Sequence, residues 1–536
     1  MKKYFTAFIL ILFFTFAAHA QKNITRLGAL YSNGQTLSGC WHYADSLGHE
    51  YAVVGAANGI MIIDVTNPAL PVLLFQLPGL NSLWHEVKVS GKYAYAVSEA
   101  VDPDTLLDGL QIINLSYLPD SAPNHFWHSD GIMTDMLRQA HSITVDNNYI
   151  YINGHSVPNH GHGVFILDKS DPWNPVYVGA ESNRYCHDSY VRGDTLWTSD
   201  IYDGMFSVYD ITNRANPIML ATQQTPANFN HNTWLSDDGH YLYTADEKSG
   251  SPVGSYDVSD LGNITLVDEY YTINMRPAEA HNVRVLNDFI INASYGSQVT
   301  IIDAAHPDNL VEVGNYPTDT VSAHAGHLCW DADPFLPSGV LIASDTWADS
   351  VYLFMPNYIR ACYLEGTVTD SVTGNIINDA KVDIASISLH DSTNLMGQYK
   401  TGYADSGLYM VAFSKPGYYT KTLPAQLNNG VLTILDVQLR DTSSDGVGEI
   451  DKDPVVVVEN NPSNDHVTFS VSPAVFKMSS SLDLKLIDSS GRIVFEEKDL
   501  GNRRITISRK DIAAGVYFFT LSDKNEMKGN GKIIFQ

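Results

Sequence analysis

"HNVRVLNDFIINASYG", residues 281–296, opens on a histidine, runs through an alternating strand, turns tightly and returns as a second apolar strand. Alternation broken by a short polar turn is the mark of a β-hairpin. The same opening recurs in "HEVKVSGKYAYAVSEA" from His85, "HSITVDNNYIYINGH" from His141, "HDSYVRGDTLWTSD" from His187 and "HNTWLSDDGHYLYTAD" from His231. Five hairpins that each begin with histidine are a repeat rather than a coincidence.

The other half of the repeat is a Gly-led apolar strand ending in Asp or Asn, followed by a turn rich in Asn and Pro. "GIMIIDVTNPALP" starts at Gly59, "GLQIINLSYLPD" at Gly109, "GVFILDKSDPWNP" at Gly163 and "GMFSVYDITNRANP" at Gly204. Weaker copies start at Val253 and Val299. The strand-end residues Asp64, Asn114, Asp168, Asp210, Asp257 and Asp303 are spaced by 50, 54, 42, 47 and 46 residues. A short strand such as "PVLLFQL" follows each turn. Four strands in forty to fifty-odd residues is the size of one propeller blade. Seven units are expected over residues 22–360, the first with Trp41-His42 matched to Trp84-His85, the seventh entered by His324 or His327. Closing them into a ring leaves few free sheet edges.

The apolar strand ending in Asp resembles the LVIVD repeat. The order of "SLWHEVKV…AVSEA", "AHSI", "HDSYV", "HNTWL" and "PFLPSGVLIASD" resembles the choice-of-anchor B family of secreted propellers over roughly residues 25–356. The chain departs from that family's pattern at Trp41-His42 and Trp84-His85. The resemblance implies fold and secretion and supplies no chemistry.

Composition agrees with an all-β exported protein. Aromatics make up 11% and charged residues only 17%, with 30 Tyr and 38 Gly among 536 residues, too many for one core. The formal net charge of −28 opposes nucleic-acid binding, which draws on Lys and Arg, and suits divalent cations. Residues 1–20 read as a signal peptide: Lys2-Lys3, an apolar run from Tyr4 to Ala17, and Ala18-His19-Ala20 before Gln21. No later stretch is apolar enough to span a bilayer. Of the four cysteines, Cys40, Cys186, Cys329 and Cys362, the first and the last two lie near the ends of the expected ring, so a disulfide from Cys40 to one of the others is an expectation. No CxxC pair supports a thiolate zinc site.

Each histidine should start the innermost strand of a blade, beside the end of the second strand, which is antiparallel to it. Those ends carry Glu99, Asn153 with His155, Asp200, Asp246 with Glu247, and Asp345. Histidines and carboxylates would then converge on one mouth of the channel. Two readings stand. In one, each imidazole is scaffold, held by a single carboxylate or carbonyl. In the other, the mouth is a ligand or metal site. His85, Glu99, His141, Asp200, Asp246 and Asp345 are then ligand-binding candidates, and His187, Asp188, His231, His281 and His324 metal-ligand candidates, with a divalent metal ion as the cofactor to consider. His187-Asp188 and His231 with Asp246 are the sharpest pairs. "NHGHG" (Asn159 to Gly163) and the acidic loop holding Glu99, Asp102, Asp104 and Asp108 read more simply as polar turns. No serine elbow, P-loop, HExxH or dinucleotide fingerprint occurs, and no catalytic residue is assigned.

After residue 360 the pattern changes. Gly366-x-Val-x-Asp370, Thr373-Gly374, Ala380-x-Val382 and Lys415-Pro-Gly-Tyr418 resemble the carboxypeptidase regulatory-like domain, which implies a small transthyretin-type β-sandwich over 363–440. Residues 441–453 are polar without periodicity and read as a linker. Over 454–536, Asn461-Pro462, Asp488-x-x-Gly491-Arg, Gly515-Val-Tyr517 and the final Lys532-x-x-x-Gln536 resemble the type IX secretion sorting domain. That implies a second sandwich, handling by the type IX machinery, and release outside the cell or attachment to its surface. The expected whole is all-β: a seven-bladed β-propeller followed by two small β-sandwich domains. Its expected work is binding a protein, glycan or small ligand at the channel mouth, with a metal-dependent enzyme and a structural surface component as the alternatives.

Overall fold

The computed structural model describes residues 21–536 except 103, 134–135, 273–277, 297, 319–327, 388, 443–454, 474–475, 477–478, 480 and 525. The expected signal peptide, most of the expected linker, and His324 with His327 lie outside the described residues. The chain divides into two compact units. One runs to Ile302 and resumes over Gly314–Tyr358; the other holds Asp303–Val313 and Ile359–Gln536.

The protein is all-β. Among the described residues, seven four-stranded sheets follow one another along the propeller portion, the first six ordered from inner to outer strand as the chain runs. The inner strands are Leu37–Ala44, His85–Ser90, Ser142–Val145, Asp188–Arg192, Asn230–Leu235, Glu279–Leu286 and Cys329–Asp333. Each touches the next, and the last touches the first, so the sheets close a ring. The closure is stitched at the seventh sheet, where the early strand Ile24–Tyr31 pairs antiparallel with Ser350–Pro356 as the outermost strand. Second strands such as Glu50–Ala56 and Phe289–Tyr295 are buried throughout, because they lie between two strands of their own sheet and two neighbouring sheets. Their near-continuous apolar runs follow from that position.

The regularly spaced Asp and Asn residues are turn devices. Asp64, Asn114, Asp168, Asp210 and Asp257 each accept, through Oδ1, a hydrogen bond from the backbone N–H two residues on, at 2.7–3.0 Å. This Asx-turn ends the third strand and starts the reversal.

In the second unit, two four-stranded sheets face each other across a core containing Leu364, Val382, Val411 and Phe413. A three-stranded and a four-stranded sheet enclose another core, with Phe469, Leu484, Phe519 and Ile533. No helix among the described residues is long and apolar enough to cross a membrane.

The cysteine expectation is corrected: none of the four forms a disulfide, and all are buried. Cys186 Sγ donates to Asp188 O at 3.0 Å, while Cys40 and Cys329 turn towards the carbonyls of Ile342 and Asp331. Burial pushes the thiols of Cys40, Cys186 and Cys329 well above their usual range.

Candidate functional site

The histidine that opens each hairpin stands where the inner strand begins, and in two sheets a β-bulge aims it. The ladder passes from Asn230 to Asn232 and from Ala280 to Asn282, leaving His231 and His281 unpaired in register. A bulge residue has no partner opposite and is re-aimed by the local twist. In the seventh sheet the same bulge falls at Trp330.

Four imidazoles from consecutive sheets stand side by side, tilted against one another by 37–51°. Ring centroids lie 3.9 Å apart for His141 and His187, 4.1 Å for His187 and His231, and 3.9 Å for His231 and His281. His187 Nδ1 bonds His231 O at 3.1 Å, His231 Nδ1 bonds His281 O at 2.8 Å, and His281 Nδ1 bonds Trp330 O at 2.7 Å. A carbonyl only accepts, so Nδ1 carries the proton in all three. Each ring is thus a staple from one blade to the next. His141 Nδ1 donates instead to Glu99 Oε1 at 2.6 Å. Burial holds His187, His231 and His281 well below the ordinary imidazole range, and neighbouring imidazoles lower them further. These rings are neutral, with Nε2 as a lone pair.

The Nε2 atoms have different fates. That of His281 accepts from the Tyr295 hydroxyl at 2.5 Å. His187 and His231 gather with Glu247: one ligand atom from each of the three residues lies within 4.8 Å of the others, and with each Nδ1 on a carbonyl the nitrogen left to bind is Nε2. Burial pushes the Glu247 carboxyl up to about 7, against the pull of nearby His141 and a Tyr295 hydrogen bond. Beneath the rings is a cavity of about 20 Å³, lined by Glu86, His141, His187, His231, Arg284 and Trp330 among others. It has room for one water or ion and no organic ligand. The same lining holds a buried ion pair: Arg284, almost fully buried, grips both oxygens of Asp331 at 2.6 Å. Trp330 Nε1 donates across to Glu86 Oε1 at 2.7 Å. Glu86 presses on Gly39, where a Cβ would sit 2.3 Å from its Oε2.

The other named residues divide differently. Asp246 does not reach the histidines. It accepts from Thr225 Oγ1 and from the backbone N–H groups of Ala227 and Phe229, anchoring a loop. Its neighbour Glu247, just past the end of the strand, lies beside His187 and His231. Asp200 is buried against Ser207 Oγ at 2.5 Å, with its carboxyl raised to about 6 by that burial. Asp345 receives Thr318 Oγ1 and the Ala348 N–H and closes a turn. Asp188 lines the cavity, but its oxygens accept from Ser142 Oγ, Asn232 Nδ2 and the Ser189 N–H. His85 starts its strand without a bulge, paired with Ser98. Its ring packs by Gly79 and lines a separate small cavity with Asp108. The match of Trp41-His42 to Trp84-His85 is also corrected. His42 pairs with Ala52 near the far end of its strand and donates to Asp333 at 2.8 Å. Tyr295, Glu86, Trp330 and Arg284 were not singled out from sequence. Tyr295 alone carried a usable signal, standing at a second-strand end like the carboxylates.

The face on the histidine side carries most of the exposed aromatic side chains. Five of the six exposed aromatic residues among the described residues of the propeller unit, Tyr31, Trp84, Tyr202, Tyr271 and Trp347, belong to strand ends or loops on that side, and Tyr117 to the other. Tyr202 is 74% exposed and Trp347 53%.

Two family models match parts of the chain: the LVIVD repeat over residues 46–77 and the secretion system C-terminal sorting domain over residues 461–536. No curated protein matches. Among solved structures, the chain is similar to the β-propeller domain of Cps50 (Swd1) from Myceliophteria thermophila, at 9% identity and a TM-score of 0.44, covering 62% of this chain and 100% of that one. The sorting domain indicates export by type IX secretion to the cell surface or the extracellular space.

Proposed function

We propose that the exported propeller is a binding module that takes its ligand on the histidine side of the ring. The observation that carries this reading is the gathering of exposed aromatic rings there. Tyr and Trp offer large apolar area with a polar edge at little entropic cost, and exposed rings concentrated on one face favour that face for recognition. The net charge of −28 disfavours polyanions and leaves neutral or cationic partners, such as glycans or peptide segments. In this reading the propeller of choice-of-anchor B type spans 22–360, and the carboxypeptidase regulatory-like sandwich at 363–440 is a spacer. Residues 441–453 link it to the sorting domain at 454–536.

The test is binding of the full chain to immobilised neutral polysaccharides and to peptide libraries, against a Trp84→Ala, Tyr202→Ala, Trp347→Ala variant. Binding that weakens at least about 30-fold in the variant, the loss of roughly 2 kcal/mol common for interface aromatics, supports the reading. Binding that the variant retains, or none in either library, overturns it.

A further inference from the structure

We propose that His187, His231 and Glu247 form a binding site for a first-row transition-metal ion of the zinc class, held by the two Nε2 atoms and one carboxylate oxygen. The inference is independent of the rim ligand and would stand if no such ligand were found.

Three observations converge. First, the donor set is chemically coherent: two imidazoles and a carboxylate suit zinc, cobalt, nickel or iron, and offer too few oxygens for calcium or magnesium. Second, the outer hydrogen bonds of a metal-binding histidine are already made. A ligating imidazole donates its other N–H to a carbonyl or carboxylate, which fixes tautomer and ring direction. His187 Nδ1 does so to His231 O and His231 Nδ1 to His281 O. Glu247 is fixed by its backbone N–H on Phe229 O. Third, the next ring in the series is otherwise engaged, His281 Nε2 by the Tyr295 hydroxyl, which leaves His187 and His231 as the pair beside Glu247. The three ligand atoms lie within 4.8 Å of one another. Bonds of about 2.0–2.2 Å require them to draw together by on the order of 1 Å. A fourth position would remain open towards the mouth, as at zinc sites that bind a water or an exogenous ligand.

The imidazoles are also staples, so their removal risks unfolding. Asparagine separates the two roles, because its amide N–H₂ can replace the Nδ1–H donor while no Nε2 remains. The full chain, prepared without an affinity histidine tag and stripped with chelator, is titrated with Zn²⁺ by calorimetry and with Co²⁺ by visible absorption. Wild type should take up one equivalent, with the absorption of a four- or five-coordinate cobalt ion. His231→Asn and Glu247→Gln, each melting within a few degrees of wild type without metal, should weaken binding by more than about 100-fold, the upper range for loss of a mere supporting contact. No stoichiometric uptake by the folded wild type overturns the proposal. So does uptake that both variants retain, which would move the ion to another group such as His160 and His162.

Discussion

The ring is joined in two ways, and the contrast explains the histidines. From the fourth sheet to the seventh, each blade reaches the next through an imidazole: His187 to His231 O, His231 to His281 O, His281 to Trp330 O. From the seventh sheet to the first, the polarity reverses. Asp331 accepts from the Cys40 N–H at 3.1 Å and from Arg284, and Asp333 accepts from the His42 N–H at 2.8 Å and its ring. One arc uses neutral donors that need only a carbonyl. The other uses buried carboxylates that need a buried cation. The first arc leaves the second ring nitrogen of His187 and His231 for chemistry, that of His281 being held by Tyr295; the second consumes its charges in holding the ring closed.

The largest effect should come from unbalancing the charged arc. Arg284→Met removes the cation from between two buried carboxylates and should cost about 3–5 kcal/mol by denaturant unfolding. The double change Arg284→Met, Asp331→Leu should recover part of this, because the cost lies in the unpaired charge. If the single change costs no more than a surface substitution, the two arcs do not differ as described.

Acid should distinguish buried neutral imidazoles from the charged arc. Burial lowers His85 to about 4 and His155 to about 3, against about 6.5 in the unfolded chain. The unfolded state therefore takes up protons first. Stability is full above pH about 6.5 and is lost as pH falls towards the folded values, by up to about 3 kcal/mol for His85. His85→Asn should flatten the slope of stability against pH between about 6.5 and 4. An unchanged slope would mean that the ring is solvated.

A smaller effect sharpens the comparison from the imidazole side. His281→Ala loses one staple and strands the Tyr295 hydroxyl, for about 2 kcal/mol. His281→Asn restores the donor to Trp330 O and should regain about half. Equal losses in both variants would place the stabilisation in ring packing instead.

The repeat was legible because its marks are local. Asp64, Asp168 and Asp210 bond the backbone two residues on, so their spacing reports turns directly. The opening histidines were legible for the same reason, since strand starts recur with the blade. What each imidazole does was not legible, because its partner belongs to the next blade, 44 residues away for His187 and 50 for His231. The choice of Glu247 over Asp246 depends on how the chain leaves the strand that ends at Asp246, where one residue changes the direction of the side chain. Trp41-His42 misled because a dipeptide does not carry register: the similar pair in the second sheet begins its strand, and this one nears the end of its own. The Arg284–Asp331 pair, 47 residues apart, left no local signal at all.

The account rests on Nδ1 carrying the proton and Nε2 the lone pair in His187, His231 and His281. Long-range ¹⁵N–¹H correlation on the metal-free full chain, labelled at histidine nitrogens and assigned through single His→Asn variants, reads this directly. The prediction is three neutral rings in the Nδ1–H form at pH 7, unchanged at pH 5.5. Nε2–H tautomers, or imidazolium signals at pH 7, would contradict it.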